Sequence, residues 1–230
     1  MNLLAMDTSG PSLSVAILKD GVLCCENTLN NGLTHSQTLM PMVEQALASL
    51  NMTPQDVSMI AVVDGPGSFT GVRIGVAAAK GLARAVGAPV IGVNALEALA
   101  CGVGDRCAVV CPIRDARAGQ VYGAAFRAGE RLMADAVVPL PQFLEHAAAL
   151  GDELLFVGDG VPPHRQAIVD LLATKARFAP PHLMHLKAGA VGALAYLRQD
   201  QAIPGADLVP RYLRAPQAER ERLAKEGRNV

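Results

Sequence analysis

The chain has 230 residues, of which 51% are hydrophobic, 18% are charged and 3% are aromatic, and its formal net charge is −1. This length supports a real core in one large domain or two small ones, and the absence of tryptophan and of a basic stripe argues against strong, direct nucleic-acid binding. The five cysteines lack CxxC spacing, so we expect reduced thiols and no zinc site. Asp7 interrupts the apolar start, so we expect no signal peptide. No apolar run reaches about 18 residues, so we expect no membrane span and a cytoplasmic chain.

The first predicted elements are a buried strand over 3–6, a polar turn over 8–12 and two more strands over 13–18 and 22–29, joined by a hairpin at Asp20-Gly21. A strand, an Asp-Thr-Ser turn and a second strand resemble the beginning of actin-like ATPases. That resemblance implies that Asp7 approaches a magnesium-bound water while Thr8 and Ser9 face phosphate. The alternative is an ordinary turn whose side chains bond the local backbone.

A helix is predicted over 34–50, with a kink at Pro41, whose missing N–H removes one helical hydrogen bond. Its apolar face is wider than one sheet would cover. The residues on that face are Leu39, Met40, Met42, Val43, Ala46, Leu47 and Leu50. Because methionine side chains adapt to irregular partners, the width of this face indicates a docking surface.

A buried strand over 58–63 leads into a turn that begins Asp64-Gly65-Pro66-Gly67-Ser68, and a helical pattern follows over 70–86. The glycines permit backbone angles that are closed to other residues. Ser68 or Thr70 can cap the helix, whose free N–H groups favour anions. Neither the P-loop nor the dinucleotide fingerprint is present, because Thr70 stands where each motif needs a glycine.

The helix after this turn carries small residues at Gly71, Gly75 and Ala78. Close packing inside the chain's own fold and docking of another protein both explain such a stripe. Arg73, in the same helix, is either a surface or capping arginine or a residue that reaches a partner's carboxylate or a phosphate.

Further strands are predicted over 90–93, 108–113, 121–126 and 154–157, and further helices near 94–101, 141–150, 164–173 and 187–199. The strand over 108–113 leads to Asp115, a short turn and another strand, which repeats the arrangement around Asp7 and predicts a duplicated fold. The best domain boundary is at 102–105. Gly158 and Gly160 resemble the glycine turn that holds adenosine in actin-like proteins.

The string Gly-Pro-Gly-Ser-Phe-Thr-Gly-Val-Arg-Ile-Gly over 65–75 closely resembles the signature of the bacterial TsaB family, within the glycoprotease-like group. The likeness includes residues 4–9, 35–41, 115–117, 120–122, 210 and 212–214. It implies an α/β fold of the actin-like, ribonuclease H-like type, duplicated into two lobes with an abbreviated second lobe. We expect an N-terminal lobe over 1–104 with the docking helices, a smaller C-terminal lobe over 105–214 and a charged tail over 215–230.

The resemblance also implies a function in tRNA modification, as a scaffold that pairs with a catalytic TsaD-like subunit and a TsaE-like P-loop ATPase. The complex would transfer threonylcarbamoyl from threonylcarbamoyl-AMP to N6 of the adenosine next to the anticodon in tRNAs that read A-starting codons. TsaD relatives carry a His-x-x-x-His metal pair, and the matching positions here are Ala95 and Leu99, which cannot bind a metal. We therefore expect no catalytic residue, no metal site, tRNA contact only through the complex, and a homodimer when the chain is alone.

The residues expected to face the partner are Leu39, Met42, Val43, Ala46, Gly71, Arg73, Ile74, Ala77 and Ala78. The residues expected to contact a nucleotide are Asp7, Thr8, Ser9, Gly158 and Gly160, with ATP or ADP at the joint with the partner and no cofactor of the chain's own. One alternative function is an actin-like ATPase or phosphotransferase that uses Asp7, Thr8, Ser9 and Asp115. Another is a glycoprotease-like metallopeptidase, against which Ala95 and Leu99 count.

Overall fold

The computed structural model describes residues 1–104 and 108–214. The first of its two sheets has five strands in the order β3-β2-β1-β4-β5, in which β1 is antiparallel to β2 and parallel to β4. The strands are β1 (Asn2–Asp7), β2 (Leu13–Lys19), β3 (Val22–Leu29), β4 (Met59–Gly65) and β5 (Val90–Asn94). The central strands are nearly continuous apolar runs because helices cover both faces of this sheet.

The second sheet has five strands in the order β10-β9-β6-β7-β8, in which β6 is antiparallel to β7 and parallel to β9. The strands are β6 (Val109–Asp115), β7 (Gln120–Arg127), β8 (Glu130–Pro139), β9 (Leu154–Val157) and β10 (Ala176–Phe178). In both sheets an antiparallel triplet is extended by two parallel strands, so the predicted duplication is confirmed. Strands β8 and β10 are not predicted from the sequence.

Six helices are present in the described residues: α1 (His35–Ser49), α2 (Phe69–Val86), α3 (Ala95–Val103), α4 (Leu140–Ala148), α5 (Val161–Leu172) and α6 (Ala188–Leu197). Ser68 caps α2 by accepting a hydrogen bond from the N–H of Gly71. Helices α1 and α2 cover one face of the first sheet, while α3 and α6 lie in the core that joins the other face to the second sheet. The helices of the second lobe are shorter: α4 and α5 have 9 and 12 residues, whereas α1 and α2 of the first lobe have 15 and 18.

The end of the chain returns to the first lobe. Helix α6 packs against β1 and β2, and Ile203 pairs with Val90 at the edge of the first sheet. The predicted second lobe over 105–214 is therefore corrected at its end, because the chain beyond β10 also covers the first sheet. The predicted boundary falls between α3 and β6, while residues 105–107 and the predicted tail over 215–230 lie outside the described residues. None of the helices in the described ranges has the length and hydrophobicity needed to cross a lipid bilayer.

Candidate functional site between the two lobes

A cleft of about 580 Å³ opens between the two lobes. Its walls are the turns after β1 and β4 (residues 9–11 and 66–70), the end of β6 (114–117) and Asp159, which follows β9. All four segments lie at the carboxyl ends of strands, the edge at which open α/β sheets hold their ligands. Residues 211–214 close one side of the cleft.

The turn after β1 is held by its own side chains. Asp7 is fully buried, and its Oδ1 accepts hydrogen bonds from the backbone N–H of Ser9 at 2.8 Å and from the Ser9 hydroxyl. The Thr8 hydroxyl donates to the carbonyl oxygen of Gly71 at 2.7 Å. Oδ2 of Asp7 has no partner among the described residues. Burial raises the pKa of Asp7, although the nearby charge of Arg114 opposes that shift.

Arg114, at the end of β6, occupies the inner end of the cleft with its side chain only 3% exposed. Its Nε donates to Asp159 Oδ1 at 2.9 Å, and its Nη1 donates to the Ser9 hydroxyl at 2.6 Å and to the Pro66 carbonyl at 3.1 Å. Burial alone would lower the pKa of Arg114, but the charges of Asp159 and Asp7 outweigh it and raise the pKa. The guanidinium is therefore a permanent buried cation.

Of the predicted nucleotide contacts, Ser9 lines the cleft beside this cation, whereas Asp7, Thr8, Gly158 and Gly160 do not line it. The residues at the inner end of the cleft do not fit a magnesium nucleotide there. Ser9 is already bonded to Arg114, Thr8 is bonded to Gly71, and a side chain at Gly158 or Gly160 would meet the backbone of Ile113. A metal cation beside Asp7 would be repelled by the guanidinium. The sequence signal for this arrangement is a single arginine that ends the otherwise apolar stretch of β6.

A C-terminal strap, which we define as residues 203–214, closes the outer side of the site. The backbone N–H of Arg211 donates to the carbonyl oxygen of Asp64 at 2.7 Å, and its Nε donates to Asp64 Oδ2 at 2.7 Å. Lys80 of α2 donates to the carbonyl oxygens of Ala206 and Leu208. The strap is therefore fixed to the first lobe by backbone and side-chain bonds.

The strap also completes an aromatic cluster at the rim of the cleft. The rings of Tyr212 and Phe69 lie 5.0 Å apart between centroids. Arg73 donates from Nε to the Tyr212 hydroxyl at 2.8 Å, and its guanidinium lies 3.7 Å from the centroid of the Phe69 ring. Arg73 is thus engaged inside the chain, although it remains largely exposed.

The expected partner face is corrected in five of its nine residues. Leu39, Met42, Val43, Ala46 and Gly71 are buried in the chain's own fold. The four on α1 belong to the apolar core that this helix forms with the first sheet, because the apolar side of an amphipathic helix is the side that covers a sheet. The other four lie toward solvent: Arg73 and Ala77 are exposed, and Ile74 and Ala78 are half-buried.

Helix α3 carries the two positions that match the His-x-x-x-His metal pair of TsaD relatives. Ala95 and Leu99 are 0% and 3% exposed and pack in the main core. The neighbouring Glu97 forms an ion pair with Arg198. In residues 1–104 and 108–214 no group of three or more His, Cys, Asp or Glu side chains is arranged to hold a metal ion.

Comparison with protein families matches residues 31–222 to the family described as TsaD, tRNA N6-adenosine threonylcarbamoyltransferase. The chain is 37% identical over 223 residues to the tRNA threonylcarbamoyladenosine biosynthesis protein TsaB of Bacillus subtilis (strain 168), which covers 95% of this chain and 96% of that protein.

Among solved structures, YeaZ from Pseudomonas aeruginosa superposes with a TM-score of 0.73 at 29% identity, over 92% of this chain and 99% of that one. Component A of the (R)-2-hydroxyglutaryl-CoA dehydratase of Acidaminococcus fermentans superposes with a TM-score of 0.51 at 12% identity, over 87% and 100% of the two chains. The second likeness concerns the fold alone. The expected duplicated α/β fold of the actin-like type is confirmed.

Proposed function

The chain belongs to the TsaB family of tRNA threonylcarbamoyladenosine biosynthesis proteins, and from that membership we propose that it is the non-catalytic partner of a TsaD-like threonylcarbamoyltransferase. It pairs with that subunit in the cytoplasm and, with a TsaE-like ATPase, supports transfer of threonylcarbamoyl from threonylcarbamoyl-AMP to N6 of the adenosine next to the anticodon. The tRNA is bound through the complex.

The observation that carries this proposal is that α3 has buried apolar side chains at two positions where TsaD relatives have metal ligands. The sequence matches the TsaD family over residues 31–222, yet buried Ala95 and Leu99 stand at the positions that match the metal pair of TsaD relatives. Neither side chain can bind a metal ion. A chain that keeps the fold and has no ligand at these positions suits a structural role beside a catalytic subunit.

The outer side of α2 supports the partner face that we propose. Arg73, Ala77 and Gly81 follow one another at four-residue steps and are exposed, and Ile74 and Ala78 lie half-buried beside them. A Cβ at Gly81 would meet nothing within 4 Å. The small side chains leave room for a partner helix to approach closely. In the absence of the partner, the same face joins two copies of the chain as a homodimer.

The experiment is to change Ala77 to Arg and to mix the variant with the purified TsaD-like subunit of the same organism. Ala77 is exposed, so Ala77→Arg leaves the fold intact while placing a long charged side chain in the interface. We expect at least a tenfold loss of affinity by calorimetry and loss of the heterodimer peak in size exclusion with light scattering.

The matched control is Ala167→Arg, which changes another exposed alanine, on α5 of the other lobe. This variant should pair like the original chain. If Ala77→Arg also pairs normally, the proposed face is wrong. If the original chain does not pair with the TsaD-like subunit at all, the proposed function is wrong.

A further inference from the structure

Arg114 belongs to one lobe and is bonded to the other. Its backbone is the penultimate position of β6 in the second sheet, and Asp159, which follows β9, anchors its Nε. Its Nη1 donates across the cleft to Ser9 and to the Pro66 carbonyl, both in turns of the first sheet. One side chain therefore connects three turns and crosses the joint between the lobes.

The surroundings of this guanidinium are built for a cation. The side chain is 3% exposed, and a buried charge is tolerated only where opposite charge and hydrogen bonds compensate for lost water. Asp159 supplies a direct ion pair, and Asp7 adds a second negative charge nearby. The Ser9 hydroxyl and the Pro66 carbonyl satisfy further N–H groups.

Two glycines make room for the guanidinium. A Cβ at Gly67 would lie 2.8 Å from Nη1 of Arg114, and a Cβ at Gly10 would collide with Nη2. Real Cβ atoms essentially never come so close to another heavy atom, so side chains at these two positions would displace the arginine. The turns after β1 and β4 are therefore shaped around Arg114.

We propose that Arg114 is a permanent clasp between the lobes: its guanidinium fills the inner end of the cleft and holds the lobes together without a nucleotide or a metal ion. The lobes are fixed relative to each other by the chain's own cation. Nucleotide-driven closure at this position is thereby excluded, and any partner meets a chain of constant shape. This inference concerns the isolated chain, so its failure would leave the proposed function untouched.

The test compares Arg114→Met with Arg117→Met, which changes an exposed arginine three residues along on the rim of the same cleft. Removing one partner of a buried ion pair leaves Asp159 uncompensated, so Arg114→Met should lower the melting temperature by roughly 6–20 °C. Arg117→Met should change it by about 2 °C or less.

Amide hydrogen exchange distinguishes an Arg114 that holds the lobes together from one that only fills space. The amide of Ser68 donates to the Ser9 carbonyl, and the amide of Gly160 donates to the Ile113 carbonyl, so these two amides report on the turns that Arg114 joins. Both should exchange at least tenfold faster in Arg114→Met, while amides of α4, away from the cleft, should keep their rates relative to global unfolding. If Arg114→Met does not fold, Arg114→Lys keeps the charge, loses the planar fork, and should show the same pattern to a smaller degree.

A third measurement adds magnesium ATP at about 1 mM to the original chain and records its melting temperature, because a ligand of the folded state must raise it. We expect no shift. The proposal is overturned if magnesium ATP stabilises the original chain and slows the exchange of the amides of Ser68 and Gly160. It is equally overturned if those amides keep their rates in both Arg114 variants.

Discussion

Asp64 is a buried carboxylate with only one of its oxygens bonded by a side chain. Its Oδ2 accepts from Arg211 at 2.7 Å, while Oδ1 has no partner among the described residues. Gly92 on the adjacent strand has no side chain, and a Cβ there would collide with Oδ2. Burial raises the pKa of Asp64 above its ordinary value of 3.8, even though the hydrogen bond and charge of Arg211 act in the opposite direction.

This raised pKa predicts how Asp64→Asn changes stability with pH. The folded chain binds the proton of Asp64 more tightly than the unfolded chain does. The contribution of Asp64 to stability is therefore largest below the unfolded pKa of 3.8 and is lost as the pH rises through the folded pKa. Because asparagine does not titrate, the melting temperature of Asp64→Asn minus that of the original chain should increase from about pH 4 to about pH 7.

Thermal unfolding at several pH values measures this difference in melting temperature. Asp56→Asn is a control for which the difference should change with pH in the opposite direction. Hydrogen bonds from Thr53 lower the pKa of Asp56, so the stability that Asp56 provides is present above its unfolded pKa and is lost as the pH falls through its folded pKa. The melting temperature of Asp56→Asn minus that of the original chain should therefore decrease as the pH rises from about 2 to about 5. A flat or falling curve for Asp64→Asn would contradict the burial argument.

Helix α2 uses its glycines in two different ways. A Cβ at Gly71 would collide with the carbonyl oxygen of Thr8, and a Cβ at Gly75 would lie 2.5 Å from the Thr8 hydroxyl oxygen and 3.1 Å from Val62. These two glycines let the helix pack closely against the end of β1 and against β4. Gly81, on the outer side, has open space around it. Of the two explanations for the small-residue stripe, internal packing therefore holds at Gly71 and Gly75.

The paired prediction is that Gly71→Ala and Gly81→Ala change stability in opposite directions. Gly71→Ala forces the helix away from the backbone of Thr8 and should destabilise the chain by about 1–3 kcal/mol. Gly81→Ala adds a good helix former in open space and should stabilise the chain by about 0.8–1.0 kcal/mol. Urea denaturation of both variants measures the two changes. A stable Gly71→Ala would show that the contact with β1 is not tight.

The elements that the sequence predicted correctly are those with a strong local signal. The glycine turn with its Ser68 cap and the Asp20-Gly21 hairpin are set by residues that are adjacent in the chain. Strand β8 carries no such signal, since alanines and charged residues interrupt its alternation and the preceding turn is Ala128-Gly129. Periodicity also cannot show which apolar helix face meets the chain's own sheet, so the pattern of α1 predicts a partner surface where the structure has the chain's own core.

The two lobes share the far end of the chain, which local sequence patterns do not predict. Helix α6 is apolar on nearly every side, which indicates burial but does not identify the covering sheet. In the structure, a Cβ at Gly192 would meet Leu18 and Ala5 of the first sheet. Arg114, Arg211 and α6 all make contacts between residues that are about a hundred or more positions apart. Such contacts depend on the finished topology and leave no local trace.

This arrangement predicts that residues 1–104 do not fold alone. Without α6, the face of the first sheet that carries Ala5, Ala16 and Leu18 would be exposed to water, and the turns around Asp7 and Pro66 would lose Arg114. Exposed apolar area costs about 25 cal/mol per Å², and domain stabilities are only about 5–15 kcal/mol. A fragment of residues 1–104 should therefore show no cooperative thermal transition, whereas co-expression with residues 108–230 should restore one. A cooperative transition of the fragment alone, near the melting temperature of the full chain, would show that the first lobe is independent of the residues that return to it.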